Sequence, residues 1–217
     1  MRRSELRATD RPLSLAYADP PYPGKSALYR GHPDYAGEVD HAELLARLAT
    51  FDGWALSTSA AALPAILALA VGQDLPVRVA AWVRGSRPHT TARLLNAWEP
   101  VVFAGGRRIV APRSIDTRRD GIAGPAGPAM PSLQVDDALV GPTPRQRPTL
   151  PTSVIGMKPP EFAEWVFRLL GALPGDSLAD LFPGSGLVGR AWADYSGRPT
   201  LTAQASRVDV VQLPLEV

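Results

Sequence analysis

The chain has 217 residues, of which 45% are hydrophobic and 20% charged, so it can bury one sizeable core with at most a small appendage. Its formal net charge is only +2, but all its cations except Lys25 and Lys158 are arginines, which suit phosphate contacts and give modest support to nucleic-acid binding. The absence of cysteine excludes disulfides, thiolate metal sites and a cysteine nucleophile.

The first half of the chain alternates apolar strands with helical segments. Residues 13–18 predict a short buried strand, and residues 40–51 predict a helix with Asp40 as its N-cap. A strand, a helix and two further strands are then predicted, in that order, at residues 53–59, 60–71, 77–83 and 99–106.

The second half begins with a stretch of different composition. Residues 111–150 are rich in proline, glycine and arginine with little periodicity, so we interpret them as a mobile insertion and not as an element of the core. A helix is predicted to begin at Pro159 or Pro160, with an apolar stripe of Phe162, Trp165, Val166 and Leu169. After it the sequence predicts a strand at 177–182, a glycine turn, a helix from Leu187 and a last strand at 198–206.

Targeting signals and metal-ligand patterns are missing from the sequence. The longest apolar stretch, residues 60–72, is too short to span a bilayer and contains Pro64. No apolar stretch of signal length follows the N-terminus, and the three histidines have no ligand spacing. We therefore expect a soluble, cytoplasmic protein with no metal and no membrane partner.

Strands that alternate with helices predict an α/β fold, with a mostly parallel sheet flanked by helices. In such sheets ligands bind beyond the carboxyl ends of the strands. Two loops fit that place, "ADPPYPG" at 18–24 and "DLFPGSG" at 180–186.

The second of these loops has the composition of a ligand-binding turn. Gly184-Ser185-Gly186 leads into a helix, so backbone N–H groups and a helix N-terminus can approach a ligand. A lone G-x-G is weak support, and a purely structural turn is the alternative. Gly189 completes a G-x-G-x-x-G pattern, but the acid that a dinucleotide site needs about 20 residues further on is missing.

The first loop combines the groups that would grip a flat amine. Pro20 and Pro21 stiffen the turn and leave carbonyl oxygens as acceptors, and Asp19 adds an anionic acceptor. Tyr22 offers an aromatic face on which a ring can stack. As a turn alone the tetrapeptide is ordinary, but together with the glycine turn it indicates chemistry at an exocyclic amino group.

In these motifs the chain resembles the DNA amino-methyltransferases that use S-adenosylmethionine (SAM). Their catalytic signature, [D/N/S]-P-P-[Y/F], is matched by Asp19 to Tyr22, and their cofactor signature by "DLFPGSG". Lys158-Pro159 is typical of the helix start that precedes the cofactor strand, and residues 97–108 resemble a segment of bacterial and phage-borne members. The order, with the catalytic loop first and the cofactor loop last, is that of the circularly permuted beta class. The likeness runs from Leu13 to about Tyr195, apart from residues 111–150.

The resemblance implies a fold, a domain organisation and a set of site residues. It implies a Rossmann-like SAM methyltransferase fold, circularly permuted and shortened at its C-terminal end, in a single domain spanning 1–217. Residues 111–150 would then be a small target-recognition region. The implied catalytic residues are Asp19, Pro20, Pro21 and Tyr22. The implied cofactor-binding residues are Lys158, Asp180, Phe182, Gly184, Ser185 and Gly186. Ser57, Thr58 and Ser59 end a strand where the family builds its catalytic wall.

The implied reaction is methyl transfer from SAM to an exocyclic amine. The aspartate form of the tetrapeptide favours adenine N6 in double-stranded DNA, with the base flipped into the Asp19–Tyr22 pocket. Two alternatives stay open: methylation of RNA or another amine, and a catalytically inactive relative that binds nucleic acid.

Two features depart from the family pattern. The acid that usually holds the SAM ribose is missing, with Asp209 the nearest candidate, and the chain ends before a complete set of strands. A weak SAM site, a site completed by a homodimer or another partner, and a lost site are therefore three open alternatives.

Seven arginines are predicted to contact phosphates, or else to lie in a solvated loop: Arg107, Arg108, Arg113, Arg118, Arg119, Arg145 and Arg147. Trp82 and Trp98 are expected in the core or in a pocket wall.

Overall fold

A computed structural model describes residues 11–31, 37–84, 97–107, 135–141 and 158–197. These residues form six strands, four α-helices and a short 3-10 helix at Ser26–Tyr29. The strands are β1 (Ser14–Ala18), β2 (Gly53–Ser57), β3 (Arg78–Val83), β4 (Trp98–Gly105), β5 (Ala138–Val140) and β6 (Ser177–Asp180). The helices are α1 (His41–Leu48), α2 (Leu63–Gly72), α3 (Pro160–Leu169) and α4 (Leu187–Ser196). None of these helices is long and apolar enough to cross a membrane.

The strands form one mixed sheet in the order β5-β3-β4-β2-β1-β6. β1 pairs in parallel with both β2 and β6, and β3 pairs in parallel with β5. β4 lies between β2 and β3 and runs antiparallel to both. The predicted α/β fold, Rossmann-like with helices flanking the sheet, is confirmed.

Helices cover both faces of the sheet because the strand residues alternate in direction. Leu15 and Tyr17 of β1 belong to a core cluster with α3 and α4. Ala16 and Ala18 face the other way and belong to the cluster with α1 and α2. Both faces of β1 are therefore buried, as expected for a central strand.

Helix starts follow the sequence signals. The Asp40 carboxylate accepts hydrogen bonds from the N–H groups of Ala42 and Glu43, so the predicted N-cap of α1 is confirmed. α3 begins at Pro160, whose missing N–H costs nothing in the first turn. Of its predicted stripe, Phe162, Trp165 and Val166 are buried and Leu169 is partly buried.

One prediction about the insertion is wrong. Residues 138–140, within the stretch interpreted as lacking core elements, form β5, an outer strand of the sheet that pairs with β3. Two carbonyl oxygens just before this strand hold it in place: Asp137 O accepts from the Ala81 N–H at 2.8 Å, and Asp136 O accepts from the Trp165 indole at 2.9 Å. The predicted strand at 198–206, Asp209 and most of the insertion lie outside the described residues.

Arg107 is a structural residue, so the prediction that it contacts phosphates is wrong. Its guanidinium makes two bonds to the buried Asp176 carboxylate, with Nη2 to Oδ1 at 2.7 Å. It also donates to the carbonyl oxygen of Arg11 at 2.8 Å. Asp176 additionally accepts the N–H groups of Leu13 and Leu173. The other six arginines of that prediction lie outside the described residues.

Candidate active site

The sheet topology collects polar side chains at one edge, which we call the carboxyl edge and define by Asp19, Ser57, Arg84, Glu99 and Asp180. The parallel strands β1, β2 and β6 end there, as their registers show. β3 runs antiparallel to β4, so the end of β3 and the start of β4 reach the same edge. The two loops singled out in the sequence therefore follow neighbouring strands, β1 and β6.

The Asp19–Tyr22 loop leaves the end of β1 and is partly buried. Pro20 is buried, and the Asp19 side chain is 23% exposed. The loop then turns back, because the Lys25 N–H donates to Tyr22 O at 2.8 Å. The Gly24 N–H donates to the Glu38 carboxylate at 2.7 Å and holds the end of the loop.

Lys158, just before α3, contacts this loop directly. Its buried Nζ lies 2.9 Å from Oδ2 and 3.1 Å from Oδ1 of Asp19. The same atom lies 3.3 Å from Glu99 Oε2 and 3.4 Å from the Tyr22 hydroxyl. The resemblance assigns Lys158 to the cofactor pocket, whereas these contacts place it against the Asp19–Tyr22 loop.

Aromatic rings surround the ammonium of Lys158. Its Nζ lies 5.9 Å from the ring centroid of Tyr22, 5.8 Å from Trp82 and 5.9 Å from Phe162. Burial lowers the pKa of Lys158, but the negative charge of Asp19 and smaller contributions from Tyr17, Tyr22 and Glu99 together outweigh burial and leave that pKa well above its ordinary value. Lys158 is therefore a fixed cation at neutral pH.

Glu99 is a residue of this site that the sequence analysis did not identify. Its Oε2 accepts from the Tyr22 hydroxyl at 3.2 Å, and its Oε1 pairs with Arg84 Nη1 at 2.8 Å. It lies within the segment 97–108 noted for its resemblance, which was the only signal in the sequence.

Asp19 has an unusual environment for a carboxylate. Burial raises its pKa, the nearby Lys158 ammonium opposes the rise, and the Glu99 carboxylate adds to it. The net direction is upward from the ordinary value. Burial also raises the pKa of the Tyr22 hydroxyl, so Tyr22 is neutral and can donate.

The glycine turn follows β6 with room beside it. Gly184 and Gly186 have φ values of +45° and +70°, which side-chain-bearing residues rarely adopt. A Cβ placed on Gly184 would find no atom closer than 3.9 Å, the carbonyl oxygen of Phe182. The Gly186 N–H donates to Pro183 O at 2.6 Å, and the Ser185 carbonyl accepts from Arg190 at 3.0 Å. A ligand can thus approach the backbone at Gly184.

Asp180, the last residue of β6, has an unsatisfied acceptor. Its Oδ1 accepts the Phe182 N–H at 3.3 Å, whereas its buried Oδ2 has no hydrogen-bond partner among the described residues. Burial raises the pKa of Asp180 to about 6, and the negative charge of Asp19 contributes to the rise. A buried acceptor of this kind is suited to a donor group of a ligand.

The end of β2 forms the adjoining wall. The Ser57 hydroxyl and the Tyr17 hydroxyl are hydrogen-bonded at 2.8 Å and buried. The buried hydroxyl of Thr58 has no partner among the described residues. The Ser57 hydroxyl is therefore hydrogen-bonded within the protein, whereas that of Thr58 is buried without a partner in the described part of the chain.

Comparison with known proteins gives likenesses to solved structures only. No protein-family model matches the chain, and no curated protein matches its sequence. Among solved structures it is similar to the crystal structure of the M1.HpyAVI–SAM complex, with 17% sequence identity and a TM-score of 0.49. The match covers 86% of this chain and 80% of that one. A likeness of this extent supports no statement about activity.

Proposed function

We propose that the protein is a SAM-dependent methyltransferase that acts on an exocyclic amino group, best supported as adenine N6 in DNA. The observation that carries this proposal is the adjacency of two loops. The Asp19–Tyr22 loop and the Asp180–Gly186 turn follow neighbouring parallel strands at the carboxyl edge. The registers of β1 and β6 place Tyr17 opposite Asp180, so the loops begin within a few residues of each other.

The residues after β6 fit a SAM molecule. The unpartnered Oδ2 of Asp180 would accept an N–H or O–H of the cofactor, and the space at Gly184 would admit it close to the backbone. Phe182, Ser185 and Gly186 complete the set that would hold it. When bound, SAM supplies a methyl group made electrophilic by a sulfonium.

The residues after β1 fit the acceptor amine. The Asp19 carboxylate and the Pro20 carbonyl would each accept one N–H of the amine, which directs the nitrogen lone pair away from the ring. Alignment of this kind supplies much of the rate of a displacement reaction. The carboxylate also stabilises the positive charge that develops on the nitrogen. Pro21 stiffens the loop, and Tyr22 offers its ring to the base.

With DNA as the substrate, the reach of this site requires base flipping. A base within a duplex cannot enter a pocket at a sheet edge, so the target base must be flipped out, which costs a few kcal/mol. The Tyr22 ring, fixed through its hydroxyl by Glu99 and Lys158, is a suitable stacking surface for the flipped base.

The test is transfer of label from tritiated SAM to pools of DNA and RNA. We expect label in adenine of DNA that is lost in Asp19→Ala and kept in Asp52→Asn, a control that changes an aspartate paired with Arg11 at the opposite edge of the sheet. Label in RNA alone would show that the substrate is RNA and not DNA. Activity that requires a partner would indicate that a homodimer or another protein completes the SAM site. Calorimetry that detects no heat at millimolar SAM would favour an inactive nucleic-acid-binding relative.

A further inference from the structure

Glu99 is an acid of the carboxyl edge that lies outside both sequence motifs. It is 12% exposed in its side chain and is fixed from several directions, by Arg84, by Tyr22 and by Lys158. Arg84 is itself held, with its guanidinium 5.6 Å from the centroid of the Trp82 ring. Glu99 is thus ordered before any ligand arrives.

Lys158 links Glu99 to the amine-binding carboxylate. Its ammonium has three N–H donors, and among the oxygens of the described residues within 3.4 Å of it are two from Asp19, one from Glu99 and one from Tyr22. Because both Asp19 oxygens are within reach, the ammonium competes for the acceptors that a substrate amine would use. Glu99 is the second negative charge that draws the ammonium away from Asp19.

We propose that Glu99 is a positioning residue, which divides the Lys158 ammonium between two carboxylates and so keeps an Asp19 oxygen available to the substrate amine. The same carboxylate holds the Tyr22 hydroxyl and thereby sets the orientation of the stacking ring. This inference rests on the proposed function, and it adds a residue that acts on the acceptor side of the site.

The kinetic test is Glu99→Gln, which removes the charge and keeps the size of the side chain. Of the two carboxylates beside the ammonium, only Asp19 then keeps its charge, so we expect kcat/KM for DNA to fall about 10- to 100-fold, with an unchanged dissociation constant for SAM. Glu161→Gln on the exposed side of α3 is the matched control and should retain full activity. A loss of SAM affinity as large as the loss of kcat/KM would overturn the assignment to the acceptor side.

A second background separates positioning from a general structural role. In Lys158→Met there is no ammonium to divide, so Glu99→Gln should there lower kcat/KM by a much smaller factor than in the wild-type background. Equal factors in the two backgrounds would contradict the proposal. The urea midpoints of all variants are measured alongside, so that a folding defect is recognised.

A spectroscopic test requires no activity. Lys25 and Lys158 are the only lysines, and Lys25 is exposed whereas Lys158 is buried. In protein labelled with [¹⁵N]lysine, the ammonium signal protected from exchange therefore belongs to Lys158. We expect Glu99→Gln to shift this signal and Glu161→Gln to leave it in place.

The two tests fail in different ways. An unshifted Lys158 signal in Glu99→Gln would overturn the inference even if the wild-type protein methylates DNA. A wild-type protein that transfers no methyl group but shows the shift would contradict the proposed function and retain the division of the ammonium by Glu99.

Discussion

Each edge of the sheet holds a carboxylate paired with a cation, but the polar groups at the two edges differ in how fully they are hydrogen-bonded. At the amino edge, where β1 and β6 begin, Asp176 is bonded by Arg107 and by the N–H groups of Leu13 and Leu173. Burial raises the pKa of Asp176, but the hydrogen bond from Arg107 and those from the backbone outweigh burial and lower it. Both oxygens of this carboxylate accept from donors within the protein, as expected of a structural ion pair.

At the carboxyl edge the buried polar groups have fewer hydrogen-bond donors. The pKa values of both Asp19 and Asp180 are raised by burial, and the Asp180 Oδ2 and the Thr58 hydroxyl have no partners among the described residues. Carboxylates buried with too few donors cost stability, and such costs are typical of sites that bind a ligand. The comparison therefore singles out the carboxyl edge as the candidate site without reference to any motif.

The largest expected effect tests the structural side of this comparison. Arg107→Leu leaves the Asp176 carboxylate buried without its counter-ion, so we expect a loss of about 3–5 kcal/mol in the free energy of unfolding. Urea unfolding measures the loss, and Arg168→Leu, whose partner Glu164 is exposed, should change stability by less than about 0.5 kcal/mol. The SAM affinity of the folded fraction should be unchanged. An Arg107→Leu variant with wild-type stability and impaired SAM binding would contradict the structural role of the amino edge.

The next-largest effect tests the carboxyl edge through the pH dependence of stability. The pKa of Asp180 is about 6 in the folded protein and about 4 in the unfolded chain, so the ionised form destabilises the fold as the pH rises through 6. Asp180→Asn removes this cost, and we expect it to stabilise the protein at pH 8 by at most about 3 kcal/mol, and by little at pH 4. Urea unfolding at both pH values checks the sign.

The same substitution should weaken SAM binding, measured by calorimetry, because the amide lacks the charge of the carboxylate. Asp176→Asn is the contrasting variant: its carboxylate has a lowered pKa, so its contribution is present at pH 8 and is lost as the pH falls through that pKa. It should therefore destabilise at pH 8. Two aspartates whose replacement shifts stability in the same direction at pH 8 would remove the distinction between the edges.

Elements with a clear period were predictable from the sequence. The apolar stripe of α3 and the Asp40 cap of α1 are local signals, and both are found in the structure. The buried strand β1 was predicted because its apolar run is bounded by a turn. The two loops were assigned to one edge because parallel strands end together.

Features that depend on pairing between distant segments were not predictable. β5 has three residues and no period, and it is defined only by its ladder to β3. Glu99 reaches the site because β4 inserts antiparallel between β2 and β3, which brings its first residues to the carboxyl edge. A single charge at a strand start gives no sign of that placement, and the same holds for the position of Lys158 beside Asp19.

The smallest effects compare Gly184, in the turn after β6, with Gly189, in α4. Gly184 has a positive φ, so Gly184→Ala should destabilise by about 1–2 kcal/mol through backbone strain. Gly189 lies exposed in α4 with a Cβ position open to solvent, so Gly189→Ala should stabilise the helix by about 0.5–1 kcal/mol. Urea midpoints measure both changes.

SAM affinity separates these two glycines further. The space beside Gly184 is where the proposed cofactor approaches the backbone, so a methyl group there should weaken SAM binding measured by calorimetry, whereas Gly189→Ala should leave it unchanged. If both variants bind SAM like the wild-type protein, Gly184 serves the turn alone. Gly184 would then have a purely structural role, like the ion pair of the amino edge. Only the buried polar groups that lack hydrogen-bond partners would still distinguish the carboxyl edge.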